Sequence, residues 1–375
     1  MPGPLSGILV VDLTRVLAGP FATLMLNELG ARIIKVEQPV TGDDSRHVGP
    51  FVKTPAGKTK SGYFMSVNRA KESIALDLKA DVLVENYRGG TMEKLGYGYT
   101  ALKEKYPRLI YCGVSGFGHT GPYAKRPAYD MVVQAMGGVM SLTGHPDSPP
   151  TRVGTSMGDL GAGLFATIGI VTALYERKTT GLGQKIDISM LDSQVALLEN
   201  AISRYVATGE VPGRLGSRHP SIAPFAAFAT KDGHIAIAAG NDEIFARVAR
   251  VLGREDLIGD ERFKTNRKRV VNHEPLHEEM ELALSAKPSQ DWLALLDAAG
   301  VPSGPLNTVA EVMADPQVLH RNMIITALDR ELGPIRMQGN PIKLSAHDDP
   351  KTRAPAPELD EHRAAILREL GLATE

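Results

Sequence analysis

The chain opens with a strand–helix–strand pattern, and this pattern restricts the fold more than any other feature of the sequence. Residues 8–13 (ILVVDL) and 32–37 (RIIKVE) are apolar runs typical of buried parallel strands. Between them, residues 21–29 have helical spacing and end at Gly30. A βαβ unit of this kind begins a Rossmann-like parallel sheet, so we predict an α/β fold.

The turn after the first strand lacks the glycine motif of dinucleotide-binding proteins. Residues 15–20 read RVLAGP, whereas dinucleotide-binding proteins carry Gly-x-Gly-x-x-Gly at this point. The missing glycines argue against a nicotinamide-dependent dehydrogenase.

Later segments predict more strands and helices of this sheet, and after them a second, smaller domain. Apolar runs at 109–114 and 185–189 extend the sheet, and residues 161–177 and 191–208 have helical patterns. Gly, Pro, Ser and Arg are frequent at 209–224, which predicts a linker or active-site loop there. We expect a large Rossmann-like domain at 1–208, the linker at 209–224, a small α+β domain at 225–320, and a return to the large domain with a C-terminal helix at 321–375.

One junction is too short for this fold. The apolar runs 73–78 and 80–85 are separated by Lys79 alone, whereas parallel strands need a crossover of about a dozen residues. Either the two runs form a single bent strand, or a connecting helix is missing. We predict a break between Lys79 and Ala80.

Composition limits the partners. The chain has 375 residues, a net charge of −1 and a pI of about 6.8, so neither nucleic acid nor an anionic membrane is an expected partner.

The single cysteine, Cys112, fits a reducing cytoplasm and lies in a predicted buried strand. The histidines show no metal-ligand spacing, so no metal is predicted. The N-terminus lacks a signal peptide pattern and no apolar stretch suggests a membrane span, so we expect a cytoplasmic protein.

The most informative carboxylate is Asp159. It lies in the glycine-rich segment 152–170 (RVGTSMGDLGAGLFATIGI), immediately before a long apolar helix. An Asp at this point is a natural N-cap, and the helix dipole favours its ionised form. An ionised carboxylate with little steric cover is suited to nucleophilic attack on a thioester. A purely structural N-cap is the alternative interpretation.

Several segments together resemble one enzyme family, the class III (CaiB/BaiF-type, formyl-CoA transferase-like) CoA-transferases. The matching segments are 11–20 (VDLTRVLAGP), 30–37 (GARIIKVE), 68–74 (NRAKESI), 80–88 (ADVLVENYR), 116–122 (GFGHTGP), 128–131 (AYDM), Gly158-Asp159 and 181–188 (GLGQKIDI). Members usually carry a helix of about twenty residues where this chain has Lys79.

The resemblance implies an intertwined, ring-like homodimer and an aspartate nucleophile, which Asp159 matches. Tyr129 and Asp130 match a pair that the family places near the nucleophile. In the family mechanism the carboxylate forms an anhydride with the donor acyl group and then a thioester with CoA. No tightly bound cofactor is expected, since CoA is a substrate.

The resemblance also assigns binding residues. The CoA residues are Arg15, Val16, Lys71, Asn86, Tyr87 and Arg88. Basic side chains neutralise phosphates and Tyr87 can stack on adenine, although each basic residue alone is more often ordinary surface. Leu17 stands where oxalate-specific formyl-CoA transferases carry Gln, which argues against oxalate as the acceptor.

The loop 213–221 matches a flexible active-site loop of the family. Its residues Arg214, Arg218 and His219 are candidates for binding a second carboxylate of the substrate, or form an ordinary basic loop.

Three functions follow in order of preference. The first is CoA transfer between carboxylic acids, with dicarboxylates such as succinate as the favoured substrates. The second is a 2-methylacyl-CoA racemase, which is disfavoured because racemases carry His where this chain has Tyr129, and a base with a near-neutral pKa is needed there. The third is a non-catalytic CoA-binding protein, whose sign would be an altered site at Asp159. Tyr129 could also be a core tyrosine.

Overall fold

A parallel sheet of six strands organises the larger part of the chain. The computed structural model describes residues 3–74, 80–369 and 371. The strands are β1 (Leu9–Asp12), β2 (Arg32–Val36), β3 (Phe51–Lys53), β4 (Thr59–Ser61), β5 (Glu72–Ile74), β6 (Val82–Glu85), β7 (Ile110–Ser115), β8 (Lys185–Ser189), β9 (Phe225–Ala229), β10 (His234–Ala238), β11 (Ser303–Pro305), β12 (Ile324–Asp329), β13 (Gly333–Gln338) and β14 (Thr352–Arg353).

Helices form most of the remaining regular structure of the described residues. They are α1 (Ala18–Glu28), α2 (Gly62–Asn68), α3 (Thr91–Lys94), α4 (Tyr99–Lys105), α5 (Asp130–Met136), α6 (Val139–Leu142), α7 (Met157–Thr180), α8 (Met190–Ala196), α9 (Asn200–Thr208), α10 (Asp242–Val251), α11 (Asp256–Gly259), α12 (Asn266–Val271), α13 (His273–Leu284), α14 (Ser289–Ala298), α15 (Val309–Val312), α16 (Pro316–His320) and α17 (Arg363–Glu369).

The strand order of the main sheet is β5-β2-β1-β6-β7-β8, and every neighbouring pair is parallel. This confirms the predicted α/β fold with a parallel sheet. The order reverses between β1 and β6, because the chain first adds β2 and β5 on one side of β1 and then β6, β7 and β8 on the other. Such a switch point leaves a crevice at the carboxyl ends of the strands.

The core of the sheet is apolar and is covered on one face by α1 and α7. Val10 and Ile110 from the strands are fully buried with Leu26 of α1 and Ile170 of α7 in one cluster. Buried aliphatic side chains of this size each contribute roughly 1.5–3 kcal/mol by leaving water. The two helices are therefore fixed on the sheet by this burial.

The helix boundaries differ from the sequence prediction in two places. The helix predicted at 161–177 extends over Met157–Thr180 and ends at Gly181, whose φ of +72° suits the left-handed end of a helix. The single helix predicted at 191–208 is wrong, because the structure has α8 and α9 there. Glu199 between them has a φ of +53° and interrupts the helical path.

The short junction lies between two strands that are far apart in the sheet. β5 and β6 run parallel, with β2 and β1 between them, so the two runs are not one bent strand. Only residues 75–81 connect them, which is fewer than a parallel crossover normally needs. The predicted break at Lys79 lies outside the described residues.

The chain divides into two compact units. The first comprises Met1–Met140, Arg152–Glu210 and Asp315–Glu375, and the second comprises Ser141–Thr151 and Val211–Ala314. The second unit contains the antiparallel sheet β11-β10-β9, with α10, α13 and α14 around its buried core. Its boundaries differ from the expected small domain at 225–320, because it also contains residues 141–151 and 211–224, most of the expected linker, and it ends at Ala314.

Helix α7 is long and apolar enough to cross a membrane by length and composition alone, although the sequence analysis expected no such segment. Half of its most apolar stretch is buried inside the protein. A core helix of a soluble protein passes the same test, so this feature is weak evidence for a membrane span.

Gly163 determines how closely α7 approaches α1. A Cβ added at this residue would lie 2.8 Å from the carbonyl oxygen of Ala18 and 2.9 Å from Cδ1 of Phe21. We expect Gly163→Ala to lower the free energy of unfolding by about 1–3 kcal/mol, because the two backbones must separate. Gly154→Ala is the control, since its Cβ would meet no atom within 4 Å. Equal stabilities of the two variants in urea denaturation would contradict this account of the packing.

Candidate functional site

A cleft of about 860 Å3 opens at the carboxyl ends of β1, β6 and β7 in the first unit. Its position is the switch point of the sheet, where α/β proteins bind their ligands. Most of the predicted site residues meet in this cleft. They are Arg15, Val16, Leu17, Asn86, Tyr87, Arg88, Tyr129 and Asp159.

Asp159 is the third residue of α7, in the first turn of that helix. The prediction that it caps α7 is wrong, because the helix begins two residues earlier and Ser156 occupies the N-cap position. The Asp159 carboxylate instead accepts a hydrogen bond from the backbone N–H of Ala18, the first residue of α1. The candidate nucleophile thus lies at the positive end of α1.

The electrostatic environment of Asp159 also differs from the prediction. Burial and, to a smaller extent, the nearby charge of Asp130 raise the pKa of its carboxyl to about 7, while the hydrogen bond from the Ala18 N–H acts in the opposite direction. A helix N-terminus does favour the ionised form, as predicted, but it is the N-terminus of α1, and burial outweighs its effect. Near neutral pH the carboxylate is partly ionised and poorly solvated, which suits a nucleophile.

Asp130 holds the start of α7 in place. Its carboxylate accepts hydrogen bonds from the N–H of Gly158 (2.8 Å) and from Nε2 of Gln134 (3.0 and 2.9 Å), and it pairs with Arg152 at 3.2 Å. A Cβ at Gly158 would lie only 2.5 Å from Cγ2 of Val133. Gly158 is therefore needed for contact between α5 and α7.

Tyr129 immediately precedes α5 and is 74% exposed. The alternative interpretation as a core tyrosine is wrong. Because Tyr129 shares the cleft with Asp159, its hydroxyl is available to a ligand.

Hydrogen bonds join the two segments expected to bind CoA. The side-chain amide of Asn86 donates to the carbonyl of Arg15 (2.7 Å), and its oxygen accepts from the N–H of Arg15 (3.0 Å). The Arg15 guanidinium lies 5.8 Å from the centre of the Tyr87 ring and pairs with Asp44 at 3.0 Å. The turns after β1 and β6 are therefore connected at the edge of the cleft.

The turn after β1 contains an unusual backbone conformation. Val16 has a φ of +67°, which is costly for a β-branched residue, and its N–H donates to Oδ1 of Asp43 at 3.0 Å. Leu17 follows it, just before α1, and only 9% of its surface is exposed. The strained residue directs the start of α1 towards Asp159.

Lys71 does not reach the cleft surface. Its side chain is fully buried, and its ammonium donates to Oδ2 of Asp12 (3.0 Å), Oγ1 of Thr23 (2.8 Å) and Oδ1 of Asn68 (2.9 Å). Burial lowers its pKa to about 8, although Asp12 acts in the opposite direction. With these partners Lys71 stabilises the interior, and we leave it out of the CoA site.

The three loop residues belong to the second unit. Arg214 donates to the carbonyl oxygens of His145 and Pro146, both at 3.2 Å. Arg218 and His219 line a cavity of about 360 Å3 in that unit, together with His273 and His277.

Two residues of the first unit were missed by sequence reasoning. Arg126 lines the cleft, and its guanidinium lies over the rings of Tyr123 (4.6 Å) and Phe117 (5.5 Å). Tyr63 lies close enough to Asp159 that burial, reinforced by the charges of Asp159 and Asp43, raises its pKa to about 12. No local pattern marks Tyr63, whereas Arg126 stands three residues before Tyr129 and could have been noticed.

No group of three or more His, Cys, Asp or Glu side chains in the described ranges has a geometry that could hold a metal ion. The free thiol of Cys112 is buried, and burial raises its pKa well above the ordinary value. Neither metal nor thiol chemistry has support at the cleft.

Comparison with known proteins connects this geometry to a family. Residues 5–363 match the profile of CoA-transferase family III. The chain is 48% identical to acetyl-CoA:oxalate CoA-transferase of Acetobacter aceti, over 98% of this chain and 96% of that protein. It is 40% identical to succinyl-CoA:glutarate CoA-transferase of Homo sapiens, over 98% and 86% respectively. A CaiB/BaiF family protein from Brucella suis has a similar crystal structure, with a TM-score of 0.86, 42% identity and coverage of 99% and 100%.

The alignment with the Acetobacter protein extends over 382 residues, more than the 375 residues of this chain. That relative therefore contains residues with no counterpart here.

The raised pKa of Asp159 predicts how the free energy of unfolding depends on pH. Between pH 4 and pH 7 the unfolded chain releases the proton of this carboxyl while the folded protein retains it, so its contribution to stability is lost as pH rises to about 7. Asp159→Asn removes this loss. We expect its free energy of unfolding to equal that of the unmodified protein near pH 4 and to exceed it by about 1–3 kcal/mol at pH 8.

The control is Asp192→Asn, an exposed residue at the same third position of α8. It should show no such pH dependence in urea titrations. A constant difference between Asp159→Asn and the unmodified protein at all pH values would contradict the assignment.

Proposed function

The chain belongs to CoA-transferase family III and is an enzyme of that family; from this premise we propose that it moves CoA from an acyl-CoA to a free carboxylic acid, with Asp159 as nucleophile. The observation that carries the proposal is the position of Asp159. It shares the cleft with Arg15, Asn86 and Arg88, and its carboxylate meets the N-terminus of α1.

The reaction proceeds through bonds to Asp159. The ionised carboxylate attacks the acyl carbon of the donor, the C–S bond breaks, and CoA leaves as a thiolate from a mixed anhydride. The thiolate then attacks the aspartyl carbonyl, releasing the donor acid and leaving an aspartyl-CoA thioester. The acceptor carboxylate repeats these two steps in reverse order, so Asp159 is regenerated with no net proton change.

The start of α1 is suited to stabilise the charge that develops in each step. The backbone N–H of Ala18 points at the Asp159 carboxylate, and the positive helix end favours an oxyanion nearby. A Cβ at the next residue, Gly19, would lie 2.4 Å from the side chain of Thr14. Close packing at Gly19 thus holds the start of α1 against the turn after β1.

The names of the relatives favour dicarboxylic acids as substrates. One relative acts on oxalate and another on succinyl-CoA and glutarate. In this chain the Arg126 guanidinium has no carboxylate partner among the described residues, while its orientation is held by Tyr123. We therefore assign the second carboxylate of the substrate to Arg126. Arg214, Arg218 and His219 remain a proposal for the same role.

The remaining parts of the proposal concern assembly and location. Leu164, Ile168, Val171 and Tyr175 form an exposed apolar stripe on α7, with exposures of 47, 60, 36 and 75%. Their spacing of four, three and four residues places them on one helix face. We assign this face to the interface of a homodimer in the cytoplasm, with acyl-CoA and acids as the small-molecule partners and no tightly bound cofactor.

Replacing the nucleophile should remove transfer without removing CoA binding. We expect Asp159→Ala to lower kcat/KM at least about a thousandfold, because no carboxylate remains to form the anhydride, while the Kd for CoA changes less than about threefold. The assay follows exchange of CoA between succinyl-CoA and a panel of mono- and dicarboxylic acids by mass spectrometry.

Asp192→Ala, which also removes an Asp from the first turn of a helix, should retain full activity. A rate in Asp159→Ala above a few per cent of that of the unmodified enzyme would remove Asp159 from the mechanism.

A further inference from the structure

A buried carboxylate lies directly beneath the turn that carries Asn86, Tyr87 and Arg88. Glu85 ends β6, and only 1% of its surface is exposed. Its Oε2 accepts the backbone N–H of Tyr87 at 2.7 Å, and its Oε1 accepts the hydroxyl of Tyr111 at 3.1 Å. The Glu85 side chain therefore helps to fix the backbone of the turn.

His119 faces the other side of this carboxylate. Its Nε2 lies 3.4 Å from Oε1 of Glu85, and only 6% of the His119 side chain is exposed. Neither ring nitrogen has a hydrogen-bond partner among the described residues, while the backbone N–H of His119 is held by both oxygens of Asp187. An unpaired buried nitrogen is normally unfavourable, so the carboxyl of Glu85 is the partner to consider for Nε2 of His119.

The adjacent strand provides space for this pair. A Cβ at Gly113 in β7 would lie 2.5 Å from Cε1 of His119 and 2.9 Å from Oε1 of Glu85. Any larger residue at this position would separate the imidazole from the carboxylate. The contact between Glu85 and His119 therefore depends on a glycine at this register.

A proton on Glu85 would pair the unsatisfied nitrogen. When Oε1 carries a proton, it can donate to the neutral Nε2 of His119. When Glu85 is ionised, its oxygens are stronger acceptors for Tyr87 and Tyr111. Burial raises the pKa of Glu85 to about 7 and lowers the pKa of His119. Glu85 therefore gains or loses this proton near neutral pH.

Other charged groups around the pair act in both directions. Glu93 raises the pKa of Glu85 and Lys185 lowers it, while Asp187 and Glu93 raise the pKa of His119 and Lys185 lowers it. The remaining titratable neighbours are Tyr87, Tyr111 and Cys112.

We propose that Glu85 and His119 form a positioning pair for CoA recognition, in which the ionised Glu85 carboxylate holds the Tyr87 backbone and a proton shared with His119 weakens that hydrogen bond. The effect reaches the neighbouring turn, because Asn86 makes two hydrogen bonds to Arg15. CoA therefore binds more tightly when Glu85 is ionised. This inference rests on the proposed function, since it assumes that CoA occupies the cleft beside Asn86 and Arg88.

The test measures the Kd of CoA by calorimetry from pH 5.5 to 8.5. All proteins carry Asp159→Asn, so that titration of the nucleophile does not contribute. Glu85→Gln is compared with the unmodified Glu85, because glutamine retains an acceptor oxygen but does not titrate in this range. The 3′-phosphate of CoA titrates equally in both experiments and cancels in the comparison.

We expect CoA binding to the Glu85 protein to weaken by about threefold to tenfold more than binding to Glu85→Gln as pH falls from 8 to 5.5. Identical pH profiles would overturn the inference while leaving the proposed function intact. Absence of CoA binding at every pH would overturn the proposed function, and the inference with it.

His119→Leu provides a second test that holds even where Glu85→Gln does not fold. It removes the acceptor for the Glu85 proton while retaining a similar volume. The midpoint of the CoA binding profile should then move to lower pH, because the protonated carboxyl loses its partner. An unchanged midpoint would show that His119 has only a structural role.

Discussion

The close packing of α7 against α1 determines the geometry of the proposed active site. Gly163 lets the two helices approach until its Cα lies against the backbone of Ala18. One helical turn earlier in α7, the carboxylate of Asp159 consequently meets the N–H of Ala18. A nucleophile on one helix thus lies at the positive end of another, and both helices are fixed by burial on the same sheet.

The same arrangement balances two opposing electrostatic effects. Burial and the charge of Asp130 disfavour the ionised form of Asp159, whereas the N-terminus of α1 favours it. Asp130 is itself held by Gly158, Gln134 and Arg152. It therefore orders the start of α7 and also raises the pKa of Asp159 through its charge. An aspartate with a much lower pKa would be fully ionised at neutral pH but would be a weaker nucleophile, because nucleophilicity falls as the pKa falls.

Sequence alone could predict the parts of this structure that depend on local patterns. The apolar runs at β1 and β2 predicted the parallel sheet, and the family motifs predicted which turns meet Asp159 in one cleft. The surroundings of each charge could not be predicted in this way. Lys71 had the appearance of a phosphate ligand, yet its ammonium is enclosed by Asp12, Thr23 and Asn68. Asp159 had the pattern of an N-cap, but the helix begins earlier and its partner Ala18 is distant in sequence.

The most direct test of the account is chemical trapping of Asp159 during turnover. Enzyme incubated with succinyl-CoA and hydroxylamine should acquire a hydroxamate on the peptide that contains Asp159, visible by peptide mass spectrometry. The initial trapping rate should rise as pH increases towards 7 and then level off, because the ionised carboxylate is the attacking form. An unmodified peptide under conditions of full turnover, or a modification on another residue, would contradict the central claim.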